Sequence, residues 1–158
     1  MKSEANVWVV HIGKEIDSEM LIAGGWIKAW LVFDTQAVDK KMLKGLLSGL
    51  LDKIKMIKDI NVLTESLTEP ESIESSEKFK QKGIDTVFSQ VLEVEIVAKD
   101  FETLLYLVVT FGPTTLEVLA PKEIKLDMRQ MQNTLVLVSE LMHRYAAAGP
   151  GGLVLTKV

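Results

Sequence analysis

The stretch 87–121, VFSQVLEVEIVAKDFETLLYLVVTFGPTTLEVLAP, constrains this chain most, because it reads as a complete strand, helix and strand with its own punctuation. In its first part Phe88, Leu92, Val94 and Ile96 share one face of a strand, with Val91, Glu93, Glu95 and Val97 on the other. Asp100 is a good N-cap, Phe101, Leu104, Leu105 and Val108 give a helical stripe, and Gly112-Pro113 stops it. The β-branched and aromatic residues over 103–111 also suit a strand, so two assignments stand there. Residues 114–120 return as a strand with Leu116 and Val118 inward and Glu117 outward, and Pro121 ends it.

An earlier stretch repeats this order. Residues 6–12 (NVWVVHI) form a β-branched run that suits a strand covered on both faces, and 13–25 read as a connection with one helical turn. Residues 26–33 (WIKAWLVF) alternate, with Ile27, Ala29, Leu31 and Phe33 one way and Trp26, Lys28, Trp30 and Val32 the other. Asp34 or Thr35 then caps a helix whose apolar positions run from Val38 through Met42, Leu43, Leu46, Leu47, Leu50 and Ile54 to Ile57. Gly45 and Gly49 each cost that helix roughly 1 kcal/mol against alanine, which implies close backbone packing along their stripe. Residues 61–67 form a second strand, and the Glu- and Ser-rich 68–83 are an exposed connection with a short helix at 73–80.

Two strand-helix-strand units describe an α+β domain, the ferredoxin-like βαββαβ antiparallel sheet, with an added N-terminal strand. After it, residues 126–147 form a long helix in which Met128, Met131, Leu135, Val138, Met142 and Tyr145 recur at three and four residues. That spacing is a coiled-coil-like seam about three heptads long, and Leu137 and Leu141 lie off it. AAAGPGG breaks the helix, and 153–158 can add a short C-terminal strand beside 6–12 or on a neighbouring subunit. A chain of 158 residues, 47% hydrophobic, fits one such domain over 1–158 with terminal extensions.

The composition excludes several chemistries. There is no cysteine, so disulfides, thiolate catalysis and cysteine-based metal sites are out, and a cytoplasmic location is the simplest expectation. A net charge of −4 and two arginines, Arg129 and Arg144, argue against a nucleic-acid footprint. No apolar run is long enough for a membrane span, so a soluble protein is expected. A mean hydropathy of +0.20 is nonetheless high beside 25% charged residues, and points to apolar surface covered by another subunit.

The order strand, KDFETLLYLVVTFGP, strand LEVLAP and a helix closing near HRYA resembles the C-terminal extension domain that follows the WYL sensor domain in bacterial transcription regulators. The likeness covers 87–146 and rests on FGP, EVLAP and Tyr145. It implies a ferredoxin-like fold associated with effector sensing and oligomerisation. Neither a helix-turn-helix segment nor a WYL core precedes it here, so no functional residue is carried over.

One constellation stands out. If the first and third strands of the ferredoxin-like order are neighbours, Trp26, Lys28 and Trp30 come near Glu93 and Glu95, with Glu117 on a flanking strand. The Trp pair is either an anchor in a buried interface or a platform for a small molecule oriented by the carboxylates. Catalysis has less support: His11 and His143 lack ligand-spaced partners, and Glu93 with Glu95 has a spacing that can hold paired carboxylates but is also routine for exposed glutamates on a strand. No metal or cofactor is expected. The leading expectation is therefore a non-catalytic, self-associating domain using the open sheet face or the Met128–Tyr145 seam. A small-molecule sensor or carrier on the Trp26/Trp30 face comes second, and an enzyme built on Glu93, Glu95 or His11 third.

Overall fold

The structure, a computed structural model, describes residues 8–11 and 16–148. In chain order it runs β1 (Trp8–His11), α1 (Ser18–Ala23), β2 (Ile27–Ala37), α2 (Lys40–Met56), β3 (Ile60–Leu67), β4 (Glu71–Glu74), α3 (Glu77–Lys80), β5 (Thr86–Ala98), α4 (Phe101–Phe111), β6 (Thr115–Ala120) and α5 (Met128–Ala148). Among the described residues the strands form one antiparallel sheet in the order β1-β3-β5-β2-β6. The thirteen-residue β5 is its spine: β2 lies along one edge, while β3 and then β4 share the other. The protein is thus an α+β domain with an antiparallel sheet and a long C-terminal helix.

Strand alternation decides the layers. Ile27, Ala29, Leu31 and Phe33 of β2 and Leu92, Val94, Ile96 and Ala98 of β5 are buried on one face, under Leu47, Leu51 and Ile54 of α2 and Leu104 and Leu107 of α4. Burying a side chain such as Leu47 or Leu107 contributes roughly 1.5–3 kcal/mol, so these two helices anchor the core. Residues 103–111 are helix: Asp100 accepts from Thr103 N at 2.8 Å, and Gly112 takes the left-handed conformation at φ 57° to close the last turn onto Val108 O.

Four expectations need correction. The helix after β2 is not capped by Asp34 or Thr35; β2 runs on to Ala37, paired through Asp34↔Val91 to Ala37↔Phe88, and the cap is Asp39, which accepts from Lys41 N at 2.7 Å. The alternation that ends with Phe33 in side-chain chemistry continues in backbone pairing, because β5 is long enough to hold those residues. Gly45 and Gly49 make no close backbone contact, since a Cβ built on either meets nothing within 4 Å. The segment 68–83 holds a strand, β4, as well as the short helix, and its turn is closed by the Ser75 hydroxyl bonding Ile84 O. Leu116 and Val118 lie beside the inward residues Leu31 and Ala29 in register, yet both are exposed. They sit on an edge strand, and the helix that could roof them, α5, packs on α4 instead. The strand expected at 153–158, the ends of the one at 6–12, and any role of the His11 side chain lie outside the described residues.

Candidate functional site

The sheet face away from α2 and α4 gathers the residues singled out from the sequence. Lys28 and Trp30 project there from β2 and Glu93 and Glu95 from β5, because each stands one residue out of phase with the buried set. A register shift between Val62 and Thr64 turns Thr64 and Ser66 of β3 onto the same face. Trp30 is opposite Glu95 on one side and Glu117 of β6 on the other. The Trp30 indole N–H donates to Glu93 Oε2 at 3.3 Å, and Lys28 Nζ lies 2.7 Å from Glu95 Oε1. Trp26 stands just before β2 and is half-buried; its backbone N–H donates to Leu21 O, so the turn after α1 sets its place rather than strand pairing. Glu117 is exposed.

What this face can do follows from those bonds. The Lys28–Glu95 pair has both side chains about one quarter exposed, at 26% and 27%, which makes it a modest contributor of roughly 0.2–1 kcal/mol. A shallow hollow of about 260 Å³ lies over Trp30, Thr64, Ser66, Glu93 and Glu95. It offers carboxylate and hydroxyl groups to a small polar or cationic group. Among the described residues no three His, Asp or Glu side chains are placed to hold a metal ion. His143 is exposed on α5.

The second constellation is the α5 seam. Asp127 accepts from Gln130 N at 2.7 Å while Gln130 Oε1 accepts from Asp127 N at 3.0 Å, a reciprocal capping box that starts the helix. Gln130, Thr134, Leu137 and Leu141 are its half-buried stripe, and Asn133 reaches Glu102 of α4 at 3.2 Å. The seam Met128, Met131, Leu135, Val138, Met142 and Tyr145 lies roughly 100° around the helix from that stripe at 3.6 residues per turn. Its side chains remain 40–76% exposed, and no residue of α5 is buried.

Sequence reading missed one polar group. Gln90 lies in the inward row of β5, two residues from Leu92, and is 1% exposed. Its signal was a lone amide at the parity of Phe88, Leu92, Val94 and Ile96.

No helix of the described residues is long and apolar enough to cross a membrane. No curated protein and no solved structure matches the chain. The sequence model of the MJ0538 family matches residues 28–149, from the second residue of β2 to just past the end of α5, and the chain belongs to that family.

Proposed function

We propose that this chain is a non-catalytic, self-associating domain whose copies meet along the α5 seam. The observation that carries this reading is a 21-residue helix with no buried residue and six seam side chains turned away from its contact with α4. A helix that keeps such a stripe in water forgoes the burial that normally stabilises it, and a second copy supplies the missing cover with the three-and-four spacing of knobs into holes. The resemblance to WYL extension domains agrees with an oligomeric role. The test is light scattering on the eluting protein across micromolar concentrations. Wild type should run as a dimer or larger, and the double variant Leu135→Glu, Met142→Glu as a folded monomer. A wild type that is strictly monomeric overturns the proposal.

The finer fold belongs to the same proposal. We read β2-α2-β3-β5-α4-β6 as a ferredoxin-like βαββαβ unit, with β4 and α3 inserted between its second and third strands. The spatial order β6-β2-β5-β3 and the placement of α2 and α4 on one face support this. A cytoplasmic protein fits the lack of cysteine.

A second reading, a small-molecule sensor or carrier, is favoured by the hollow over Trp30, Glu93 and Glu95. Quenching of tryptophan emission in a metabolite screen, lost in Trp30→Phe, would support it; no response from any compound would remove it.

A further inference from the structure

We infer that the groove between α2 and α4 binds a single-chain amphiphile with an anionic head, of the medium-chain fatty-acid class, its carboxylate met by Lys53 and Lys58. The groove has a volume of about 860 Å³, within the range of small-molecule pockets. It shares no residue with the α5 seam or with the hollow over Trp30, so the inference stands apart from self-association.

Two glycines make the room. Gly45 and Gly49 lie four residues apart on the flank of α2 that borders the groove, and a Cβ on either would meet nothing within 4 Å. Each weakens the helix, yet neither a close contact nor a positive φ within this chain requires it. The space they leave is walled by apolar groups: Leu46 and Leu50 from α2, Phe111 and the ring of Tyr106 from α4. Leu46 is 50% exposed and Tyr106 45%, so this wall stands in water until something apolar covers it.

The charge is confined to one end. Ile57 and Lys58, where α2 closes, share an adjoining hollow with Asp100 and Glu102 at the start of α4, so the two helices run in opposite directions along the groove. Lys53 and Lys58 border the groove at that end, and Gly45 lies about 12 Å along the helix from Lys53 at 1.5 Å per residue. Both lysines are exposed, and among the described residues neither forms an ion pair, whereas Lys28, Lys44, Lys55, Lys80 and Lys99 do. No carboxylate of the described residues lines the groove. The acids around this end of α2 are engaged elsewhere: Asp52 borders the opposite flank of the helix, Asp59 pairs with Lys99, Asp100 caps α4 through Thr103, and Glu102 accepts from Asn133.

An apolar trough with cations at one end selects its occupant. An alkyl chain lying over Gly49 and Gly45 takes apolar surface out of water, its carboxylate faces Lys53 and Lys58, and the Tyr106 hydroxyl on the same wall is a further donor. A cationic amphiphile meets the same wall but two like charges, and a small polar anion leaves the wall wet. The open seam of α5 does not match in charge, because the one acid of that helix, Glu140, lies on the opposite side from Met128–Tyr145.

The experiment is titration of the full chain, followed by calorimetry and amide chemical shifts, with monomeric decanoate, with decylammonium, which reverses the head charge, and with acetate, which lacks the tail. Decanoate should bind, and both others at least roughly tenfold more weakly. Gly49→Leu fills the groove with a good helix former; it should hold or raise the melting temperature and abolish decanoate binding. Lys53→Gln with Lys58→Gln should stay folded and weaken decanoate roughly threefold to tenfold, since two exposed charges are lost. No binding of decanoate overturns the inference, and phosphatidylglycerol vesicles that sediment the protein without such binding would give the lysines to a membrane surface instead. Decylammonium that binds as decanoate does overturns it, as does undiminished decanoate affinity in either variant. A Gly49→Leu protein whose oligomeric state changes in light scattering also overturns it, by showing that another copy fills the groove.

Discussion

Trp30 and Glu93 are joined diagonally across β2 and β5: the indole N–H donates to Glu93 Oε2 at 3.3 Å, although Trp30 stands opposite Glu95 in register. Lys28 makes the same two-residue step, facing Val97 and pairing with Glu95 at 2.7 Å. Both long side chains lean the same way along the sheet, and diagonal neighbours are within reach of such groups. Glu93→Ala should therefore cost about 0.5–1.5 kcal/mol, the net worth of one half-exposed hydrogen bond, read as a lower urea midpoint and a shifted tryptophan emission. A loss several times larger would mean that this face is covered in solution.

Gly45→Ala and Gly49→Ala should each stabilise the protein by about 0.5–1 kcal/mol in urea unfolding. Both lie inside α2 without a positive φ, and an added Cβ finds open space. They border a groove between α2 and α4 lined by Leu46, Leu50, Tyr106 and Phe111, which is why glycine is tolerated there without backbone contact. Destabilisation on alanine substitution would show that something packs tightly into that groove.

The parts of this fold legible in the sequence are those where local chemistry and tertiary packing agree. Asp100 and Gly112-Pro113 bracket α4 because an N-cap carboxylate and a left-handed glycine act within a turn of themselves. The neighbourhood of Lys28, Trp30, Glu93 and Glu95 followed from strand alternation plus one assumption about strand order, and register then brought those residues together. What stayed hidden depends on distant partners. Asp34 looks like a cap until Val91 is known to pair with it. Leu116 and Val118 look like core until α5 is seen to lie against α4 and leave β6 uncovered. The inward turn of Glu65 follows from a bulge that no residue in INVLTESL announces, for it has no glycine to mark one.

The caps of α4 give a further prediction. Asp100 Oδ1 accepts from both Thr103 N at 2.8 Å and Thr103 Oγ1 at 2.7 Å, so Asp100→Ala removes two bonds at the start of a helix that carries the buried Leu104 and Leu107. It should cost about 1–2 kcal/mol. Gly112→Ala should cost about 1 kcal/mol, because alanine pays for the left-handed φ of 57° that glycine adopts freely. Equilibrium unfolding measures both, and Asp100→Asn, which keeps an acceptor, should recover most of the first loss.

Glu69 gives the pH dependence. The hydrogen bond and the charge of Lys44, with a smaller contribution from Lys40, hold its carboxyl below the ordinary value of 4.5 and outweigh an opposing desolvation. A carboxyl that binds its proton less readily in the folded state stabilises the fold above the unfolded pKa, and that contribution is lost as pH falls through the lowered value. Glu69→Gln and Lys44→Ala should each flatten the acid limb of a stability profile below pH 4.5, slightly, and the difference from wild type should fade with added salt because the pair is exposed.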